Sequence, residues 1–394
     1  MKKLIVIMIL ASVAAVSCNT AKKDQGNPFF AEWQTPFGVP PFDLIENDHY
    51  MPAIDSGIAA ARTEIDAIVS SSEPATFANT IVPYDRGGQL LNKVAYVFYS
   101  QTSANTNDTL EQLQMEVAPK ISAFSDEMLL NAGLFARVKA VYENREAEQL
   151  DAEELFLLEN LYKSFVRNGA LLDSADQETL KKLNQEISVL TVKFSQNVLG
   201  ETNDFKLVID NEADLAGLPD GVIANAAEMA KAEGMEGKWV FTTQKPSMIP
   251  FLQYADNREL RKKLYDAYLN RGNNGNERDN NKILADLVRL RAERAKLLGY
   301  DTHADLVLET RMAKTPDNVL NLLTDLLGRA LPVAKREREE MQQIIDAEGG
   351  NFRLAAHDWW YYAEKLRKAK YDLDETELRP YFTLDNAQIG RAHV

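Results

Sequence analysis

Apolar residues recur at every third or fourth position along most of this 394-residue chain, and that spacing commits it to packed helices. Leu155, Leu158, Leu161, Tyr162, Phe165 and Val166 follow it, as do Leu180, Leu183, Ile187, Leu190 and Phe194. Each run lays an apolar stripe along a helix, and that stripe has to be buried against another element. Thr315-Pro316 supplies a helix start, a capping hydroxyl followed by proline in the first turn. The pattern then passes Leu320, Leu323, Leu327 and Ala330, meets Pro332 as a place for a kink, and stops at Gly349-Gly350. Two runs have the other period. F-K-L-V-I-D at 205–210 and K-W-V-F-T-T at 238–243 predict short strands on either side of a helical piece at 220–233. The expected fold class is mainly α with a small β element.

The remaining segments read as connections. Pro36, Pro40 and Pro41 deny residues 28–52 a regular helix, so an extended arm is expected, packed through Phe37, Phe42 and Tyr50. Residues 270–281, N-R-G-N-N-G-N-E-R-D-N-N, are the most polar stretch and predict an exposed loop. No fixed internal period argues for a helical solenoid. The length exceeds what one core usually serves, so two or more domains or lobes are expected. A net charge of -15 argues against nucleic acid as a partner, since phosphate contact needs clustered Lys and Arg.

At the N-terminus Lys2 and Lys3 precede an apolar run at 4–16, which has signal-peptide proportions and is too short to span a bilayer. It ends in Ala15-Val16-Ser17-Cys18, which resembles a bacterial lipobox. Lipidated Cys18 would then be the mature N-terminus, with 19–27 as a polar tether. The alternative is an ordinary secretory signal with an incidental cysteine. Cys18 is the sole cysteine, so it has no internal disulfide partner. The expectation is an exported, periplasm-facing chain of the bacterial envelope, held to the membrane through its N-terminal lipid.

A search for chemistry finds no complete apparatus. Zinc hydrolysis on a helix needs two histidines one turn apart beside a general-base Glu. The four histidines, His49, His303, His357 and His393, include no such pair. There is no Gly-x-Ser-x-Gly elbow and no phosphate-cradling glycine loop. Glu153-Glu154, Glu339-Glu340 and Asp374-Glu375 read as solvated surface. Trp359, Tyr362, Ala363 and Leu366 share one face of a helix expected at 358–370. That face is either core, the simpler reading, or the aromatic wall of a peptide channel; Tyr361 lies off the stripe and is the better channel candidate.

Several segments in fixed order carry a resemblance. They are N-P-F-F-A-E-W-Q-T-P-F-G-V-P-P-F-D from Asn27, E-P-A-T-F-A-N-T-I from Glu73 and L-L-N-A-G-L-F-A-R-V-K-A-V-Y from Leu129. D-L-A-G-L-P follows from Asp214, P-F-L-Q-Y-A-D-N-R-E-L-R from Pro250, R-M-A-K-T-P from Arg311, and H-D-W-W-Y-Y-A-E-K-L-R from His357. Together they resemble the thimet oligopeptidase family of zinc metallopeptidases, in its bacterial peptidyl-dipeptidase branch, over about residues 27–386. The resemblance implies an elongated, two-lobed helical fold split by a channel, acting on short peptides as a monomer. It implies hydrolysis by zinc-activated water and release of C-terminal dipeptides. An internally cutting oligopeptidase of the same family, or a non-catalytic peptide-binding lipoprotein, is the alternative.

The family's His-Glu-x-x-His motif, its further Glu ligand and its downstream His and Tyr match no residue here, so no catalytic or metal-binding residue is carried over. The expected organisation is a helical lobe at 28–250 followed by the first part of the catalytic region at 251–388. Ile389-Gly390-Arg391-Ala392-His393-Val394 fits no upstream pattern, and the expectation is that 389–394 is a translated sequencing-adapter tail. The chain is therefore expected to be the front part of a longer peptidase, with zinc bound by the full-length parent and not by this piece.

Overall fold

The computed structural model describes residues 26–372 and 375–392. The signal segment, Cys18, Asp374 and His393 lie outside them. The chain divides into two compact units, Met1–Val192 and Lys193–Val394. Both are mainly helical, and the described residues hold one two-stranded sheet.

In the first unit, helices α1 (Tyr50–Val69), α2 (Gln89–Ala104), α3 (Asp108–Leu129), α4 (Ala132–Glu143) and α5 (Ala152–Arg167) surround one apolar core. Phe98, Phe165, Ile54, Ile81, Leu134 and Leu158 are fully buried in it. Asp151 caps α5 by accepting from the backbone N–H groups of Glu153 and Glu154, and Glu154 returns a bond to the Asp151 N–H. That reciprocal pair satisfies donors the first turn leaves over. The proline-rich arm packs differently from expectation. Tyr50 is buried, but Phe37 and Phe42 are exposed, and Phe29 and Trp33 form the contact instead. Lys93 accounts for the choice: its ammonium donates to the carbonyls of Phe29 and Ala31 and lies 4.2 Å from the Trp33 ring centroid.

Helix α6 spans Ser174–Asp204. In the second unit, β1 (Leu207–Ile209) pairs antiparallel with β2 (Trp239–Phe241), Val208 opposite Val240. Both strands are shorter than the runs read from the sequence. Between them lies α7 (Asp220–Ala232), and after them α8 (Lys245–Tyr254) and α9 (Arg258–Leu269), which share a core around Phe241, Phe251, Leu252 and Leu264. Helices α10 (Asn281–Leu297), α11 (His303–Leu308), α12 (Pro316–Ala347), α13 (Trp359–Tyr371) and α14 (Leu384–Ala392) complete it. As expected, Thr315 caps α12, its hydroxyl accepting from the Asn318 N–H. The helix continues through Pro332 to Ala347.

The polar loop between α9 and α10 is less free than its composition suggests. Buried Glu201 on α6 accepts from the Gly272 N–H and from the side-chain amides of Asn274, at 2.8 Å, and Asn276, at 2.7 Å. Asn280, also buried, bonds to Asn197 and to the Phe194 carbonyl.

Candidate functional site

The best-defined polar constellation in the second unit is built where the turn before α13 meets α8 and α9. Asp358 is fully buried, yet its carboxylate has donors on every side. Arg258 donates from Nε at 3.0 Å and from Nη2 at 2.9 Å, Arg261 from Nη2 at 3.1 Å, and the Ala355 N–H at 3.0 Å. Arg258 and Arg261 lie three apart on α9, so both guanidiniums reach one side of that helix. Arg261 also donates to the carbonyls of Ala255 and Asp256, capping the end of α8. Burial works against the Asp358 anion, but the two arginines and the Ala355 N–H outweigh it and hold the carboxyl below its ordinary range.

Tyr361 belongs to this constellation. It is 8% exposed, and its hydroxyl donates to Asp256 at 2.7 Å. The Arg261 guanidinium lies 4.0 Å from its ring centroid and the Lys365 ammonium 4.6 Å. In this unit the residue singled out as a channel candidate is thus packed between two cations in the interior, its hydroxyl already engaged. Burial, with the Asp256 bond, raises its pKa. Of the face read from the sequence, Tyr362, Ala363 and Leu366 pack in a core with Met341 and Ile345, and Trp359 departs from it. Tyr361 and Tyr362 are buried, while Trp359 and Trp360 are at least 36% exposed.

The histidines do not converge. His49 Nδ1 accepts from the Glu46 N–H at 3.0 Å. His303 Nδ1 is buried without a hydrogen-bond partner among the described residues, and desolvation followed by the charges of Arg294 and Arg291 lowers its pKa. His357 is buried beside Asp358, its Nε2 3.6 Å from Oδ1, and desolvation is the main cause of its lowered pKa. Among the described residues no three His, Cys, Asp or Glu side chains are placed to hold a metal ion. The Asp358 carboxylate beside His357 is consumed by two arginines. These residues do not fit a zinc ion, and the constellation works as a rivet joining α8, α9 and α13. A shallow cleft beside the sheet, lined by Val222, Met229, Phe241, Thr242, Pro246 and Ser247, is largely apolar. Its Ser247 hydroxyl is committed to the Thr242 N–H.

Sequence reasoning named His357 and Tyr361 but missed Asp358, Arg258 and Arg261 as partners. The signal available was the pair of arginines three apart on one amphipathic helix, which has many solvated counterparts in a chain this charged.

Residues 251–393 match the model of Peptidase family M3. Dipeptidyl carboxypeptidase of Escherichia coli strain K12 is 38% identical over 359 residues, covering 91% of this chain and 53% of that protein. The Salmonella typhimurium strain LT2 protein of the same name is 36% identical with the same coverage. Oligopeptidase A of Haemophilus influenzae is 32% identical, covering 88% of this chain and 51% of that protein. The chain spans about half the length of the curated relatives it matches.

Proposed function

We propose, from the premise of a family M3 peptidase region, that the protein is a peptidyl-dipeptidase that releases C-terminal dipeptides from short peptides. The observation carrying this reading is the likeness over 91% of the chain to two dipeptidyl carboxypeptidases, at 38% and 36% identity against 32% for oligopeptidase A. Peptidases of this family are zinc-dependent in general. Since the described residues do not converge on a metal, the hydrolytic centre in this reading is supplied by residues outside them, and the two units serve as scaffold.

Two arms test it. The 394-residue chain is expected to retain no stoichiometric zinc in equilibrium dialysis and to leave an N-acylated tetrapeptide intact. A longer protein, expressed from the gene read past codon 386, should release the C-terminal dipeptide and spare the same peptide carrying a C-terminal amide. Equal cleavage of the amide would replace this reading with internal cutting. Zinc-dependent dipeptide release by the 394-residue chain would overturn the placement of the centre, and a gene without a metal motif would end the proposal.

The same reading places the protein in the bacterial envelope, anchored by lipid on Cys18. The support is the apolar run at 4–16 and the small residues preceding the sole cysteine. Expressed in a bacterial host, the protein should partition into the membrane fraction, and Cys18→Ala should abolish that. Mass spectrometry finding residues N-terminal to Cys18 on the mature protein would refute lipidation there.

A further inference from the structure

Two asparagines in the chain are followed by glycine, Asn168-Gly169 and Asn274-Gly275. Asparagine is chemically labile. Glycine in the next position removes the Cβ that would keep its backbone nitrogen away from the asparagine side chain. The two pairs stand in different company. Asn168 caps the C-terminal end of α5, and its amide donates to the Ser164 carbonyl at 2.8 Å, one turn back on the same helix. Asn274 lies in the loop between α9 and α10. Its amide donates to the buried Glu201 carboxylate at 2.8 Å and to the Asn270 carbonyl at 2.9 Å.

Ties on both reacting groups restrain the second pair. Deamidation needs the Gly275 nitrogen, stripped of its proton, to reach Asn274 Cγ. That N–H donates to the Asp279 carboxylate at 2.9 Å, and the amide it would attack is pinned to Glu201 and Asn270. Gly275 is otherwise open: at φ +64°, a Cβ built on it meets nothing within 4 Å. The restraint is therefore a hydrogen-bonded latch, with no steric cover behind it. It fails whenever the loop opens.

We propose that Asn274-Gly275 is a deamidation site held in check by the Glu201 latch, and that its product keeps the latch from closing again. In the opened loop the Gly275 nitrogen attacks Asn274 Cγ. The N–Cγ bond forms, the Cγ–Nδ2 bond breaks, and ammonia leaves with the proton that the backbone nitrogen gave up. Water then opens the succinimide ring. Breaking the N–Cγ bond leaves aspartate, and breaking the bond to the main-chain carbonyl leaves isoaspartate. Either product has lost the donating amide and gained a carboxylate. Set against Glu201, it opposes like charge to like charge in a buried place, and Glu201 is short of one donor. The cations of this loop are already committed. Arg278 pairs with Asp204, and Arg271 donates to the Tyr268 carbonyl and the Thr202 hydroxyl. Asn168 faces a carbonyl of its own helix, so the same conversion there releases no such latch.

Peptide mass spectrometry of the 394-residue chain, aged in mildly alkaline buffer with and without urea, tests the site. In urea both Asn-Gly pairs should convert at comparable rates. In the folded chain Asn274 should convert at least on the order of tenfold more slowly, because only the opened fraction reacts. Glu201→Gln, which replaces the anion with a neutral amide, should speed the folded reaction on the order of tenfold. Trypsin cleavage at Arg271 and Arg278 then reads loop opening. Asn274→Asp should be cut there on the order of tenfold faster than the parent, while Asn168→Asp should match the parent. Far-UV circular dichroism checks that each variant is folded, and parent chain deamidated by ageing gives the same comparison without a substitution. No conversion of Asn274 in urea would overturn the site. Equal rates with and without urea, or a folded rate indifferent to Glu201→Gln, would overturn the restraint. Parental cleavage in both Asn274→Asp and the aged chain would overturn the one-way release.

Discussion

Replacing Asp358 with alanine is expected to destabilise the second unit by about 3–5 kcal/mol, the cost of stranding a buried partner charge. The reason is the company it keeps. Arg261 is 1% exposed, and its Nη2 has the Asp358 carboxylate as its anion. Without the carboxylate, a guanidinium with no anion remains inside the protein, beside the Tyr361 ring. Arg258, more exposed, can turn to water and limits the loss. The Ala355 N–H also loses its acceptor, freeing the turn that starts α13. Urea denaturation followed by tryptophan fluorescence reads the effect, because Trp359 and Trp360 follow Asp358 directly. A loss under about 1 kcal/mol, typical of a surface pair, would show that the carboxylate does not hold these elements together.

The same group sets a pH dependence. The folded-state pKa of Asp358 is depressed below its ordinary value. Its stabilisation is therefore complete above the unfolded-state pKa, near 4 for aspartate, and is lost as pH falls through the folded-state value. The acid limb of the unfolding profile should shrink in Asp358→Ala relative to the parent. An unchanged acid limb would contradict the pairing.

Gly217→Ala is expected to cost about 2–4 kcal/mol, combining left-handed backbone strain with forced overpacking. Gly217 adopts φ +84°, and a Cβ there would meet the Tyr254 carbonyl oxygen at 2.2 Å and the Asp256 carboxylate at 2.7 Å. A backbone oxygen cannot swing aside as a side-chain end can. The displacement would pass to Asp256, whose N–H donates to the Ala216 carbonyl at 2.9 Å and whose carboxylate receives the Tyr361 hydroxyl. Gly234 provides the comparison: its φ is also positive, +72°, but open space surrounds it. Gly234→Ala should lose only the conformational part, about 1 kcal/mol. Similar thermal shifts for the two variants would sink the steric argument.

Much of the fold was legible because helix periodicity is a local property. The stripe through Leu158 and Phe165 became α5, and the Thr315-Pro316 start became α12. The strands were found but overextended: Phe205 before the first strand and Thr242 and Thr243 after the second are residue types that favour strands, yet they lie past the paired positions. Periodicity says which residues share a face but not what lies opposite. Hence the stripe on α12 was right as a helix and silent about its covering, and the stripe on α13 turned Tyr362, Ala363 and Leu366 to the core but left Trp359 outside it. The constellation at Asp358 was illegible for a related reason. Its partners stand 97 and 100 residues away, and nothing local distinguishes that aspartate from the chain's many others. Only ordered segments spread over about residues 27–386 carried information about function, and they carry a resemblance without supplying a reactive group.

The clasp of Glu201 on the asparagine-rich loop bears on how the protein can be handled. By composition, residues 270–281 would be the first choice for inserting an epitope tag, a fluorescent reporter or an engineered protease site. Their backbone and amide groups instead close over a carboxylate that water barely reaches. An insertion at Asn274 would leave that anion without its donors in a half-dry cavity. The stretch that looks most like a dispensable connector is therefore a fastener, and the exposed arm around Phe37 is the better place to open the chain.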